Sequence, residues 1–275
     1  MTTTLRPTGP EARQDGGGRA RSYDVCVNSR RVGGIRLATD ERFGPTAGRI
    51  EALEIDPADR RRGRATVAAL AAEEVLRGWG CRQIELTVPA EAAAAVCLAA
   101  ALGYTERSRL LSKELGPPPE LPDGSRDRTL TEAEFPAWRD AELAAYVPTL
   151  MSNGLTREQA ERAAAYGPSF LPDGPAGPDH AVRILVRDGV DVGSVWVATR
   201  RPGQPGGHVM DVRVDTEHRG RGHGRTLMLV AERVCLAAGL PVLGLNVYAG
   251  NAPARRLYDS LGYRPSAYLL WKPIL

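Results

Sequence analysis

The residues best suited to chemistry lie in one short stretch, HRGRGHGR (218–225), where Arg219, Arg221 and Arg225 alternate with Gly220, Gly222 and Gly224. Arginine makes charge-assisted bonds to phosphate oxygens, and glycine lets successive backbone N–H groups approach an anion closely. The same composition fits a charge run that touches nucleic acid, or a flexible loop. The pattern Arg-x-x-Gly-x-(Gly/Ala) is weak alone, and RQDGGG (13–18) also matches it. Glu217 and His218 precede the loop and read as structural. His180, His208 and His223 have no partner pattern and read as surface or loop residues, so His223 joins an anion seat only through its place in the loop. Cys26, Cys81, Cys97 and Cys235 form no CxxC pair and have no histidine at metal-ligand spacing; they read as free thiols in a reducing cytosol, with no metal site.

The elements that must position the loop decide between these readings. HVMDVRV (208–214) alternates apolar and polar residues, as a strand does, and RTLMLVAERVCLAAG is a helix ended by Gly239. A loop that leaves a strand and enters a helix presents N–H groups and a positive helix end to an anion. Downstream come a strand, PVLGLNV (241–247), a short helix with Asn251 as N-cap, Pro253 in its first turn and Gly262 as stop, and a last strand, YRPSAYLLWKPI. Upstream, Thr131 with Glu134 and Thr156 with Gln159 form capping boxes that start two helices, the second stopped by Gly167. AVRILVRDGVDVGSVWVAT folds as a hairpin around Asp188-Gly189, followed by a turn region at 200–207.

The chain repeats itself. EIDPADRRRGRA (54–65) aligns on RVDTEHRGRGHG (213–224) at an offset of 159 residues, which holds without a gap over roughly 60 positions, through LGY (102–104 on 261–263) and LLSK on LLWK (110–113 on 269–272). The second RGR-type loop thus has a twin in the same strand–loop–helix setting, which favours the phosphate reading. GPPPELPDGSRDRT (116–129) is a linker by composition. The expected organisation is a polar disordered tail over 1–22, a shorter unit over 23–115, the linker, and a fuller unit over 130–275.

With these residues in place, the second unit resembles the GNAT superfamily of acetyl-CoA-dependent N-acetyltransferases, on VRVDTEHRGRGHGRTLM (212–228) and LNVYAGNAPARRLYDSLGY (245–263). The whole chain is similar to a tandem GNAT protein. The resemblance implies an α/β class, with two GNAT folds, each a mixed, mostly antiparallel twisted sheet flanked by helices. It implies acetyl-CoA as co-substrate. Val212 and Val214 would supply backbone groups to its arm, Arg219, Arg221, Gly222, His223, Gly224 and Arg225 would hold its diphosphate, and Asn251 would bond the arm. Tyr258 would protonate the leaving thiolate. Asp211 is the candidate base or acceptor-binding carboxylate, although Arg213 on its face of the strand could neutralise it. Tyr146 and Trp196 are the candidate acceptor-binding residues.

In the first unit the offset turns Asn251 into Ala92 and Tyr258 into Ala99, while the loop RRRGRA (60–65) survives. That unit reads as a scaffold, as a CoA binder without chemistry, or as active through other residues. It also lacks the two leading helices.

The resulting expectation is N-acetylation of a primary amine on a small molecule, by direct attack in a ternary complex. A protein-lysine or N-terminal acetyltransferase is the enzyme alternative, and a CoA-binding regulatory module the non-enzyme one. A net charge of +3 over 275 residues, without aromatic residues among the arginines, argues against nucleic acid. The longest apolar run, AEAAAAVCLAAALG (90–103), is too short to span a bilayer. A cytoplasmic monomer is expected, its two units making the pseudo-dimer within one chain.

Overall fold

The structure, a computed structural model, describes residues 3–14, 18–165, 173–201 and 206–274. The expected helix stop at Gly167 and most of the 200–207 turn lie outside the described residues. In chain order the elements are β1 (Thr3–Pro7), β2 (Ala12–Gln14), β3 (Gly18–Val27), β4 (Arg30–Asp40), β5 (Gly44–Ile55), α1 (Arg64–Gly78), β6 (Gln83–Pro89), α2 (Ala93–Ala101), β7 (Thr105–Glu114), β8 (Ser125–Thr129), α3 (Phe135–Ser152), α4 (Arg157–Ala165), β9 (Ala176–Gly177), β10 (His180–Arg187), β11 (Val190–Ala198), β12 (Gly207–Val214), α5 (His223–Ala237), β13 (Val242–Tyr248), α6 (Ala252–Ser260) and β14 (Arg264–Pro273).

These gather into two compact units, one of Met1–Arg107, Thr149–Tyr166 and Ala267–Leu275, the other of Ser108–Pro148 and Gly167–Ser266. In the first unit the strand order is β1-β3-β4-β5-β6-β14, antiparallel except for the parallel pair β5–β6. Ala68, Ala72 and Leu76 of α1 pack on Val25, Leu37 and Ile84. In the second unit the order is β7-β13-β12-β11-β10-β8, again with a single parallel pair, β12–β13. Leu227, Met228 and Ala231 of α5 pack on Val195, Val197, Leu243 and Leu245. The opposite face buries Phe135 and Trp138 of α3 against Val182, Ile184 and Trp196. Each unit is therefore the mixed, mostly antiparallel sheet with flanking helices that the repeat implied.

The last strands of the two repeats are exchanged. β7 ends the first repeat but pairs with β13 of the second unit, Leu111 opposite Leu245. β14 ends the second repeat but pairs with β6 of the first, Leu270 opposite Leu86. A cut at 116–129 would have left both strands at home. The two strands carry nearly the same pattern, LLSK and LLWK, so each fits the other's slot. Residues 149–166, with α4, also belong to the first unit, where Ala160 and Ala163 are buried.

Each exchanged strand is anchored by one of the chain's two lysines. Lys113 Nζ donates to Glu232 Oε1 at 2.7 Å, and the Tyr263 hydroxyl donates to the same oxygen at 3.1 Å. At the positions 159 residues away, Lys272 Nζ reaches both oxygens of Glu73 at 3.0 and 2.8 Å, and Tyr104 donates to Glu73 at 3.0 Å. Both glutamates are buried, and each ammonium also lies 5.6 Å from the centre of its tyrosine ring.

Local signals read from the sequence are realised. Both capping boxes form: Glu134 N donates to Thr131 Oγ1, and Gln159 N to Thr156 Oγ1. Asp188 and Gly189 both have positive φ, as a tight hairpin with matching twist requires. The tail differs from expectation. Thr3–Pro7 pairs with β3 and Leu5 packs on the first core, while Gly18–Asp24 lies within β3 itself, so a polar composition hides strand pairing. Ser125–Thr129, expected in the linker, pairs with β10 as β8.

Candidate functional site

The second unit opens its sheet along one seam. β12 and β13 pair only at Gly207–Val209 with Leu243–Leu245, and the strands then part. Met210 is an extra residue opposite β11, because Trp196 faces Asp211 while Val197 faces Val209. This bulge adds local twist. Backbone groups of β12 beyond Val209, among them those of Val212 and Val214, consequently face a gap on the β13 side, while their side chains pack on the core.

The loop after β12 turns into α5. Gly220 and Gly222 both adopt left-handed φ, +77° and +85°, and Gly222 is the N-cap of α5. That conformation points successive N–H groups to one side, at the positive end of a 15-residue helix. Arg221 stands exposed on it, and His223 is the first helical residue. Three loop residues take roles the sequence reading did not give them. Arg219 Nε donates to Val214 O at 3.1 Å and braces the turn, as Arg60 does to Ile55 O in the first unit. Arg225 donates to Ser260 Oγ, tying α5 to α6. A Cβ on Gly224 would sit 3.3 Å from Leu257, so this glycine lets the two helices pack closely.

Asn251 caps α6 as its sequence suggested, its Oδ1 accepting from Ala254 N at 3.1 Å. That bond uses only the oxygen of the side-chain amide. Tyr258, on α6, is buried, its ring 6.1 Å from that of Tyr263. Burial and the negative charge of Asp211 push its hydroxyl up to about 12, so it stays protonated at neutral pH.

On the other sheet face lies a residue the sequence reading missed. Glu142 of α3 pairs with Arg213 at 2.5 Å, its side chain 13% exposed. Burial, then the charge of Asp211, push its carboxyl up to about 7, against the pull of Arg213. Asp211 is also raised, by burial, with Arg213 and the Val212 N–H opposing. Arg213 thus forms its ion pair with Glu142, and Asp211 makes no ion pair within 4 Å among the described residues. Trp138, Glu142 and Tyr146 recur every four residues on one face of α3, and a lone carboxylate in that apolar series was the available signal. Tyr146 is half-buried one turn beyond Glu142, on the face that carries the carboxyl pair. Trp196 is buried edge-on to Trp138 and belongs to the aromatic cluster under α3. His208 is buried and pushed down to about 4, by burial first and by Arg201, so it is neutral. Among the described residues no cluster of His, Cys, Asp or Glu could hold a metal, and no helix is long and apolar enough to cross a membrane.

The first unit repeats the seam without the polar groups. β5 and β6 pair only at Ala47–Ile50 with Gln83–Leu86 before parting. Ala52, Ala92 and Ala99 stand where the second unit has Asp211, Asn251 and Tyr258. The α2 N-cap, Ala92, makes no side-chain bond.

Comparison with known proteins agrees with this geometry. The Acetyltransferase (GNAT) family profile matches residues 4–104 and again 132–263. The chain is 32% identical over 246 residues to a mycothiol acetyltransferase of Acidothermus cellulolyticus, covering 82% of this chain and 70% of that one. It is 29% identical over 284 residues to a mycothiol acetyltransferase of Streptomyces bingchenggensis, covering 94% and 88%. Among solved structures, a GCN5-related N-acetyltransferase from Sphaerobacter thermophilus superposes with a TM-score of 0.59 at 20% identity, covering 92% and 80% of the two chains. A tandem GNAT protein from the clavulanic acid biosynthesis pathway gives 0.53 at 22%, covering 94% and 83%. The loop, the parted strands and the doubled match have one explanation: the chain is a tandem acyltransferase that belongs to the GNAT family of acetyltransferases.

Proposed function

We propose that the second unit, completed by β7, transfers the acetyl group of acetyl-CoA to a primary amine of a small molecule by direct attack. The observation that carries this is the opened edge of β12, with an anion seat at one end and, on β12 itself, Asp211, whose charge reaches both Tyr258 and Glu142. Acetyl-CoA, when bound, supplies the activated acyl group. The backbone N–H groups of 220–224 and the Arg221 guanidinium hold its diphosphate, and the edge of β12 at Val212 and Val214 takes its amide arm. A β12 N–H also stabilises the oxyanion as it forms. The NH₂ of Asn251 remains available to the arm because its capping bond uses only the oxygen. Tyr258 holds the proton that the leaving thiolate needs.

The acceptor arrives as an ammonium ion. Two carboxyls with one arginine leave a seat of negative charge, which attracts that cation and then takes its proton. Once Asp211 is protonated, its charge no longer raises Tyr258, and the phenol becomes a better acid at the step that needs it. Tyr146 and the Trp196 cluster border the acceptor side. The relatives' name makes mycothiol-related amines the first acceptors to assay.

Calorimetric titration of acetyl-CoA tests the seat. Gly222→Glu puts a carboxylate and a strained left-handed residue at the α5 N-cap and should remove the second-unit site. Absence of acetyl-CoA binding to the unaltered protein would overturn the proposal.

The carboxyl pair predicts a pH dependence. Activity should rise with pH through about 7, as the pair loses its proton. Glu142→Gln should lower kcat about tenfold and move this limb to lower pH, since Arg213 is then released toward Asp211. For stability the sign is the reverse of the usual carboxylate case. Glu142 binds its proton more tightly folded than unfolded, so its contribution is greatest below the unfolded value and is lost as pH rises through about 7. Glu142→Gln should therefore be more stable than the parent at pH 8 and closer to it at pH 5, measured by urea denaturation.

A further inference from the structure

The first unit has a cleft of about 1040 Å³ between the parted strands β5 and β6 and the helix α2. Its walls are mainly apolar: Ile50, Leu86, Val88, Leu98, Ala99 and Tyr104. α2 itself, AAAVCLAAA, is apolar on every side, yet only Ala99 of its nine residues is fully buried. A helix without a polar face is ordinarily enclosed. The repeat shows what is missing from the space. In the second unit the ring of Tyr258 lies against Tyr263. At the equivalent place Ala99 leaves the Tyr104 ring lining the cleft.

The other end of the cleft is cationic. Arg60, Arg61 and Gly63 line it, and Gly63 is the left-handed N-cap of α1. Arg61 is held at φ +61°, where the second unit has Gly220, a left-handed conformation that an arginine adopts only under strain. Four acids also line the cleft: Glu51 is engaged by Arg36 at 2.7 Å and Asp59 by Arg30 and Arg64, while Glu54 and Glu91 stand exposed at its rim. Between the two ends β5 turns an unpaired edge to the cleft beyond Ile50.

We propose that this cleft binds an acyl thioester of coenzyme A whose chain is longer than acetyl, the chain lying where the second unit keeps the Tyr258 ring. The inference rests on the reading of the strand–loop–helix seat given above, and adds the chain. The ligand fits in three parts: anionic head at the Arg60–Ala65 loop, amide arm along β5, and alkyl chain between α2 and Tyr104. With Ala99, Ala92 and Ala52 in the places of Tyr258, Asn251 and Asp211, the first unit lacks the counterparts of the proposed acid and base, so the thioester is held without turnover. A hexanoyl chain adds four methylenes to acetyl and is comparable in length to a tyrosine side chain.

The test is calorimetry of CoA, acetyl-CoA and hexanoyl-CoA into full-length Gly222→Glu, in which the second seat is blocked. Burying a methylene tightens binding about fourfold, so hexanoyl-CoA should bind on the order of a hundredfold more tightly than acetyl-CoA. Ala99→Tyr in the same background should erase this preference while leaving CoA itself bound. Ala95→Phe, on an exposed position lining the same cleft, does so without touching the core, should Ala99→Tyr misfold by circular dichroism. Equal affinity for the two thioesters overturns the proposal, as does a preference that survives both cleft variants. If Gly222→Glu binds neither thioester while the unaltered protein binds acetyl-CoA, the first-unit site falls and the second-unit reading stands. If the unaltered protein binds neither, both fall.

Discussion

Tyr258→Phe is expected to lower kcat about 10²–10³-fold, the contribution of a positioned acid, with the KM for acetyl-CoA changed less than about twofold. The variant removes one oxygen and keeps the ring, so packing on Tyr263 is preserved and stability should move little. The deficit has a recognisable signature if the hydroxyl protonates the thiolate. Acetyl donors with more acidic thiols need less help, so the gap between parent and variant should narrow as the thiol pKa falls. A kcat within threefold of the parent would remove Tyr258 from the proposed chemistry. A gap that ignores the thiol would reassign the residue to positioning.

Lys272→Met is expected to destabilise the protein by about 3 kcal/mol, because it strands the buried carboxylate of Glu73. In a chain of this size that corresponds to a fall in Tm of roughly 6–12 °C. Lys113→Met, which strands Glu232, should behave alike. The double change Lys272→Met with Glu73→Met should recover most of the loss, since removing both charges leaves no unpaired ion. Lys272→Arg should not rescue, for a planar fork does not fit where a compact ammonium sits between a carboxylate and a tyrosine ring. A loss below 1 kcal/mol by urea denaturation for both single variants would show that the exchanged strands are held by their backbone pairing alone.

Much of this was legible in the sequence, for reasons that differ by residue. The 159-residue offset exposed the duplication because Gly63 and Gly222 occupy the same left-handed corner, where few other residues fit. The capping boxes and the Asp188-Gly189 hairpin are local, so local residues specify them. The exchange of β7 and β14 was invisible because the two strands are near copies: a pattern that fits both slots cannot say which it enters. Arg219 reads as a phosphate arm from the motif, and a one-dimensional motif does not show that its Nε also braces the turn through Val214 O. Trp196 faces Asp211 across β11 and β12, but the aromatic cluster that encloses it comes from α3, far away in sequence, and no local signal announces it. Glu142 is not legible locally, because it lies some 70 residues from Asp211 and only the packing of α3 on the sheet brings the two carboxyls together.

The exchange of strands also sets an order of events during synthesis. β6 leaves the ribosome at residue 89, but its partner β14 is complete only at residue 273. At roughly 5–20 residues per second, the first sheet waits roughly 10–40 s for its native edge strand, with the edge open or lent to the near-copy β7. Such an edge is a template for pairing with other chains, and two nascent copies on one messenger present the same one. The lysine-free, alanine-rich segment from 90 to 101 emerges directly behind it. Yield of this protein should therefore depend on translation speed and chaperone supply more than its final stability suggests, and a stop codon just before residue 264 should be far more damaging than the loss of a last strand normally is.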